Sequence, residues 1–116
     1  MQLLFFDKKV QKILGDNKLL QRKVGLEIGK KTKQRLEQLE ASDNFSMYLT
    51  ELRLGKPHLL DGNLSNCYSI SVSANYRLIV ETIGTKLDIE SLKDCKEINI
   101  KGVLDYHDGK NEWIIP

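Results

Sequence analysis

The stretch CYSISVSANYRLIVETIG, residues 67 to 84, limits the fold more than any other part of the chain. Ile70, Val72 and Ala74 alternate with Ser69, Ser71 and Ser73, the period of two expected of a strand with one buried face. A strand needs a partner, and the short Ser-Ala-Asn link permits an antiparallel hairpin into YRLIVETI. Arg77 then points away from the face that carries Tyr76, Leu78 and Val80. The last long strand is EINIKGVLDYH, with Ile98 and Ile100 in alternation. Gly102 interrupts it, and a glycine in mid-strand marks a bulge that resets which side chains share a face. The polar connection between them, GTKLDIESLKDCK, has room for a helical turn.

The first half of the chain follows a different period. MQLLFF is short and apolar and suits a buried strand. DKKVQKILGDNK begins a helical turn capped by Asp7 and stopped near Gly15. From Asn17 to Ala41, Leu20, Val24 and Ile28 recur every four residues and Leu36 and Leu39 continue the stripe, which predicts a helix. Gly25 and Gly29 weaken it by about 1 kcal/mol each relative to alanine, and close packing against another helix would account for them. SDNFSMYLTELRLG reads as a cap and a short helix with Phe45, Tyr48 and Leu49 inward and an exit near Gly55. The order is one strand, helices, then antiparallel strands. That is an α+β arrangement with helices covering one face of a sheet and the other face open for a site.

With 116 residues, 41% of them hydrophobic and 29% charged, the chain is expected to form one domain over residues 1–116 with a modest core. Cys67 and Cys95 lack the C-x-x-C spacing of a zinc or redox site, and neither a signal peptide nor a membrane span is evident. A reducing cytoplasm is the expected location, although a disulfide between the two cysteines stays open. The net charge of +2 conceals an uneven distribution: ten basic residues lie between Lys8 and Arg35 against only Asp16 and Glu27. A basic segment of this kind suits nucleic-acid phosphates or an acidic partner, or is simply a solvated helix face.

Three polar clusters remain: Lys56, His58 and Asp61 in LGKPHLLDGN, then Arg77, then Asp105, Tyr106 and His107. They hold both histidines of the chain. Histidine exchanges protons near neutral pH, so the two suggest an acid and base pair. Arg77 offers a planar fork of donors to a phosphate. Tyr106 offers a hydroxyl donor and a ring on which a base can stack, and Asp105 can orient an imidazole or the arginine. RNA carries its own nucleophile, the 2′-hydroxyl, so these parts suffice for cleavage with no metal or cofactor. Strict alternation places Asp105 and His107 on one face and Tyr106 on the other. All three meet only if the strand twists, bulges or ends there; otherwise Tyr106 is core. Trp113 is expected to pack the tail on the sheet or helices, although an exposed apolar tail could also receive a partner.

Together these residues resemble the type II toxin family that includes RelE, ParE and HigB, and within it the HigB-like plasmid maintenance killer proteins. The resemblance spans nearly the whole chain. It is carried by the basic helical segment ending in KQRLEQLEAS, by the terminal DYH, and by KPHLLDGNLSNCYSISVSANYRLIVE, which is similar to the family's His-x-Leu-x-Gly, Tyr-Ser-Ile and Asn-x-Arg-Leu-Ile elements. It implies a RelE-like fold, an N-terminal strand and a helical hairpin packed on a twisted, mainly antiparallel sheet. It also implies a toxin neutralised by a cognate antitoxin, a small helix-turn-helix protein through which operator DNA is reached. HigB-like members cut mRNA on the ribosome by attack of the 2′-hydroxyl on the adjacent phosphate. By position the resemblance makes His58 and His107 the acid and base, Arg77 the phosphate clamp, Asp105 an orienting carboxylate and Tyr106 a stacking or proton-relay residue. Arg22, Lys23, Lys30, Lys31, Lys33 and Lys56 would meet RNA or the ribosome. Two positions depart from the family: Asp61 stands where lysine is common and Ser71 where arginine is common. Lys56, Lys101 or Lys110 would have to replace a lost cation. The alternatives are a ParE-like poison of DNA gyrase that does not cut, and an attenuated member that mainly binds its antitoxin.

Overall fold

The computed structural model describes residues 1–84 and 87–116; Thr85 and Lys86, in the polar connection, lie outside the described residues. Strand β1 spans Gln2–Phe5, and helix α1 spans Lys8–Gly15. Asp7 caps α1 as expected, its carboxylate accepting from the Val10 amide at 2.9 Å. Asp16 ends α1 and caps α2, Asn17–Val24, by accepting from the Lys18 and Leu19 amides.

The helix expected from Asn17 to Ala41 is divided at Gly25, and α3 runs Leu26–Ala41. Gly25 has φ 87° and ψ 169°, a conformation essentially confined to glycine. Its amide closes α2 on the Gln21 carbonyl, and its own carbonyl receives the Gly29 amide to start α3. Gly29 does serve close packing: a Cβ there would stand 3.6 Å from Leu20 Cγ on α2. Leu20, Val24, Leu36 and Leu39 are buried as the stripe requires. After α3, Asn44 caps α4, Phe45–Met47, which continues as a π-helical turn over Tyr48–Leu52. Phe45 and Tyr48 are fully buried, and the Tyr48 hydroxyl donates to the Leu54 carbonyl at 2.7 Å.

The remaining strands are β2 His58–Leu59, β3 Cys67–Ser71, β4 Tyr76–Thr82, β5 Glu97–His107 and β6 Lys110–Ile115. They form a sheet in the order β1-β5-β4-β3-β2, with β6 also on β5. Because β4 occupies one edge of β5, strands β1 and β6 share the other. β1 runs parallel to residues 97–100 and β6 antiparallel to residues 103–107. The main core lies between the helices and one sheet face and includes Ile70, Leu78, Val80, Ile98, Ile100 and Val103.

The second face is less open than alternation suggests. Cys67 and Ser69 are buried along with Tyr68 and Ile70, because Leu60, Leu64 and Tyr106 pack over Cys67, Ile79 and Leu104. Full burial of Ile79 and Leu104 stabilises the fold by about 1.5–3 kcal/mol each. The bulge expected near Gly102 is present: Ile79 pairs with Gly102 and Val80 with Ile100, which leaves Lys101 as the extra residue. It resets the strand, so Val103 joins Ile98 and Ile100 on the helix side while Leu104 and Tyr106 face the second side.

Candidate functional site

The end of β5 carries the residues on which the chemistry would depend, distributed over both faces of the strand. Tyr76 pairs with Asp105, and Tyr76 packs against the main core, so Asp105 and His107 emerge on the helix side. Asp105 Oδ2 lies 3.3 Å from His107 Nδ1, with the two side chains 19% and 40% exposed respectively. Asp105 Oδ1 and His107 Nδ1 are both buried without a hydrogen-bond partner among the described residues, so the approach is a close ionic contact and not a formed hydrogen bond. Tyr106 emerges on the second face, beside Arg77, whose guanidinium carbon is 5.5 Å from the ring centroid. That distance is within the range of a cation–π contact. Arg77 Nη1 also donates to the carbonyls of Ser73 and Tyr76, bracing the guanidinium against the β3–β4 turn. The Tyr106 amide donates to the Asn75 carbonyl at 2.7 Å, which fixes the strand end to the same turn. The period does not break at the triplet. The strand stops at His107, with Asp108 and Gly109 at φ 50° and 73° in the turn to β6.

His58 is not brought to this place. It pairs with Ser69, which pairs with Ile79, which pairs with Gly102. Three strand spacings of ~4.8 Å and five residues of ~3.3 Å therefore separate His58 from His107, roughly 20 Å in all. The ring is exposed, and its Nδ1 stands 3.3 Å from the Lys56 carbonyl. Strand order, which the sequence does not state, separates the two histidines beyond the span of one phosphate.

Arg22, Lys23, Lys30 and Lys31 are exposed and Lys33 is half-buried on α2 and α3. Lys30 and Lys33 line a groove of about 500 Å³ between these helices, together with Leu26 and Glu37. This groove belongs to the helical layer. Arg35 belongs to the basic segment but is structural: its Nε donates to the Ser71 carbonyl at 2.9 Å and ties α3 to β3. Asp61 is exposed at the start of the short turn Gly62–Leu64, and Ser71 Oγ donates to the Ser73 carbonyl at 3.1 Å. Of the lysines that could replace a missing cation, Lys110 pairs directly with His107 in the β5–β6 hairpin. Lys56 is exposed beside His58. Lys101 Nζ lies 3.8 Å from the centroid of the Phe6 ring, a contact created by the bulge and invisible in residue spacing.

Cys67 and Cys95 are both buried free thiols. Burial, assisted by Glu81, pushes the Cys67 thiol up, with Lys101 acting in the opposite direction. Among the described residues no helix is long and apolar enough to cross a membrane.

No protein-family model and no curated protein matches the sequence. Solved structures do share its fold. A chain of the YoeB–YefM complex from Staphylococcus aureus matches 92% of this chain and 97% of its own length, with a TM-score of 0.55 at 20% identity. A heterotetrameric YoeB–YefM toxin–antitoxin complex from the same organism gives 0.54, also at 20% identity, over 92% and 97% of the two chains. A YoeB/ParE toxin from Agrobacterium tumefaciens gives 0.57 at 13% identity over 92% of this chain and 99% of its own. The architecture is therefore that of the YoeB/ParE-type toxins, the RelE-like fold that the sequence implies.

Proposed function

We propose that this chain is the toxin of a type II toxin–antitoxin pair and cleaves mRNA on the ribosome, in the manner of HigB-like proteins. The observation that carries the reading is the Asp105–His107 pair, 3.3 Å apart at the open end of β5, with the Arg77–Tyr106 pair on the adjoining face of the same strand end. RNA crossing the end of β5 meets both pairs. His107, oriented by Asp105, takes the proton of the 2′-hydroxyl as its oxygen attacks the adjacent phosphorus. Arg77 neutralises the charge that develops on the nonbridging oxygens. The bond to the 5′-oxygen breaks, and the Tyr106 hydroxyl supplies the proton that oxygen takes, then recovers one from solvent. The products are a 2′,3′-cyclic phosphate and a 5′-hydroxyl. His58 and Lys56 stand too far away for this phosphate and would contact RNA further along. The lysines of α2 and α3 would contact the ribosome, and Lys110, opposite His107, is the best placed substitute for the cations absent at Asp61 and Ser71.

Solved relatives of this fold include toxins held by an antitoxin, which supports a cognate antitoxin as the partner; a small helix-turn-helix protein would link this chain to operator DNA. The cytoplasm is the compartment where ribosome and antitoxin are both met. Induction of the wild-type chain should arrest growth and create new transcript 5′ ends. His107→Ala and Arg77→Ala should each lower cleavage by about 10²-fold or more while the protein stays folded and binds its antitoxin. Unchanged toxicity in both variants would overturn the nuclease reading. The separation of the two histidines favours one alternative, a poison that binds its target without cutting; intact transcripts with inhibited DNA gyrase would identify it.

A further inference from the structure

The second face of the sheet carries a line of rings and cations along β5 that extends past the triplet. At one end the Lys101 ammonium stands 3.8 Å from the centroid of Phe6, a ring that is 55% exposed. Trp113, 42% exposed, is paired with Leu104 across the β5–β6 ladder. Its ring borders Gly102, where a Cβ would come within 3.1 Å of Cζ3. At the other end lie Tyr106 and Arg77. Leu104, which faces Trp113 across the ladder, and Tyr106 are successive positions on one face of β5, about 6.6 Å apart, and Lys101 with Phe6 lies on the other side of Leu104 along the strand. Between them the apolar surface is closed, since Ile79 and Leu104 are almost fully buried. What is exposed instead is ring surface with cations beside it, the combination that holds unpaired bases and their phosphates. Of the carboxylates on this face, Glu81 is turned to Asn99, whose Nδ2 donates to it at 3.3 Å, and Glu97 lies further along β5, beyond Asn99.

We propose that Phe6, Lys101 and Trp113 form a stacking subsite for single-stranded RNA that holds bases flanking those at Tyr106 and Arg77. The proposal deepens the nuclease reading by giving the RNA a direction, along β5 from the triplet toward the bulge. It rests on that reading for the identity of the strand but not for the occurrence of cleavage. The absence of a Cβ at Gly102 lets the indole lie close to the strand before RNA arrives, so little ordering is needed on binding.

Trp113 is the chain's only tryptophan and therefore reports directly on this subsite. The full chain is titrated with short oligoadenylate and oligouridylate while tryptophan emission is followed, and the variants are measured by anisotropy of the labelled RNA. Saturable quenching is expected, with affinity lowered about fivefold or more by Phe6→Ala and by Trp113→Leu, as loss of a stacked base requires. An RNA duplex of the same sequence should quench far less, because its bases are not open to the rings. Absence of quenching, equal binding of duplex and single strand, or unchanged affinity in both variants would overturn the subsite. So would a Trp113 response to the antitoxin alone. Circular dichroism melting of each variant separates loss of the site from loss of the fold. Phe6-dependent RNA binding by a chain that leaves transcripts intact would support the subsite and remove the nuclease. Cleavage that is lost with His107 but unaffected by Phe6→Ala and Trp113→Leu would do the reverse.

Discussion

Replacing Gly102 with alanine tests the bulge on which both faces of β5 depend. Gly102 has φ +146°, and a Cβ built there would collide with the Ile115 carbonyl oxygen and press on the Trp113 ring. The backbone conformation alone costs a non-glycine residue about 1–3 kcal/mol. The collision cannot be relieved by a side-chain rotation, because its partner is backbone, so the end of β6 must move. Ile115 is fully buried and would lose part of the ~1.5–3 kcal/mol that its burial contributes. The two effects give an expected loss of about 2–4 kcal/mol, a large share of the ~5–15 kcal/mol typical of a folded domain. Urea unfolding followed by Trp113 fluorescence measures it, with Gly109→Ala as the reference. Gly109 also has a positive φ, +73°, but nothing lies within 4 Å of its Cβ position, so only the backbone cost of about 1 kcal/mol applies. A Gly102→Ala stability within about 0.5 kcal/mol of Gly109→Ala would refute the argument from close approach.

Alanine at the two helical glycines should act in opposite directions in the same assay. Gly25→Ala is expected to destabilise by about 1–3 kcal/mol through its backbone, while Gly29→Ala should stabilise by up to about 1 kcal/mol, since its new contact with Leu20 at 3.6 Å is ordinary. Tyr48→Phe should destabilise by about 1–3 kcal/mol because it leaves the Leu54 carbonyl without its donor. Burial pushes the Tyr48 phenol up to about 12, with Arg35 acting in the opposite direction. Its contribution to stability is therefore complete below the ordinary tyrosine value near ~10 and is lost as pH rises from there through about 12. Tyrosinate absorbance should show a late step that Tyr48→Phe removes. Asp105→Asn should lower the cleavage rate about 10- to 100-fold with oligonucleotide affinity unchanged, as expected of a group that orients the imidazole; a fall in affinity of the same size would assign Asp105 to binding instead.

Much of the sheet was legible because its signals are local. The alternation about Ile70 and the glycine at position 102 foretold the hairpin and the bulge, and Asp7 marked its helix start through the geometry of one carboxylate. Gly25 and Gly29 were read alike because both lack a Cβ, yet one breaks a helix by its φ and the other admits Leu20. The dihedral that distinguishes them is not a property of residue type. Ser69 was expected to be exposed, but Leu60 and Leu64 return from a loop to cover its face, a long-range event that period cannot report. At the site, the sharing of one face by Asp105 and His107 followed from alternation. The distance to His58 did not, because it depends on the order of strands in space. The tail from Lys110 onward also gave no clear strand signal, yet it pairs back on β5 and turns Trp113 toward the second face.

The parallel pairing of β1 with β5 joins Gln2 to Glu97, and this has a bearing on time. During synthesis at about 5–20 residues per second, the first strand waits several seconds before its partner exists. Until then Leu3 and Phe5 have no sheet edge to occupy, and the histidine and arginine pairs at the strand end cannot assemble. A nascent chain of this design lacks its joined sheet until synthesis has passed β5, so β1 is among the first elements made and among the last to be seated.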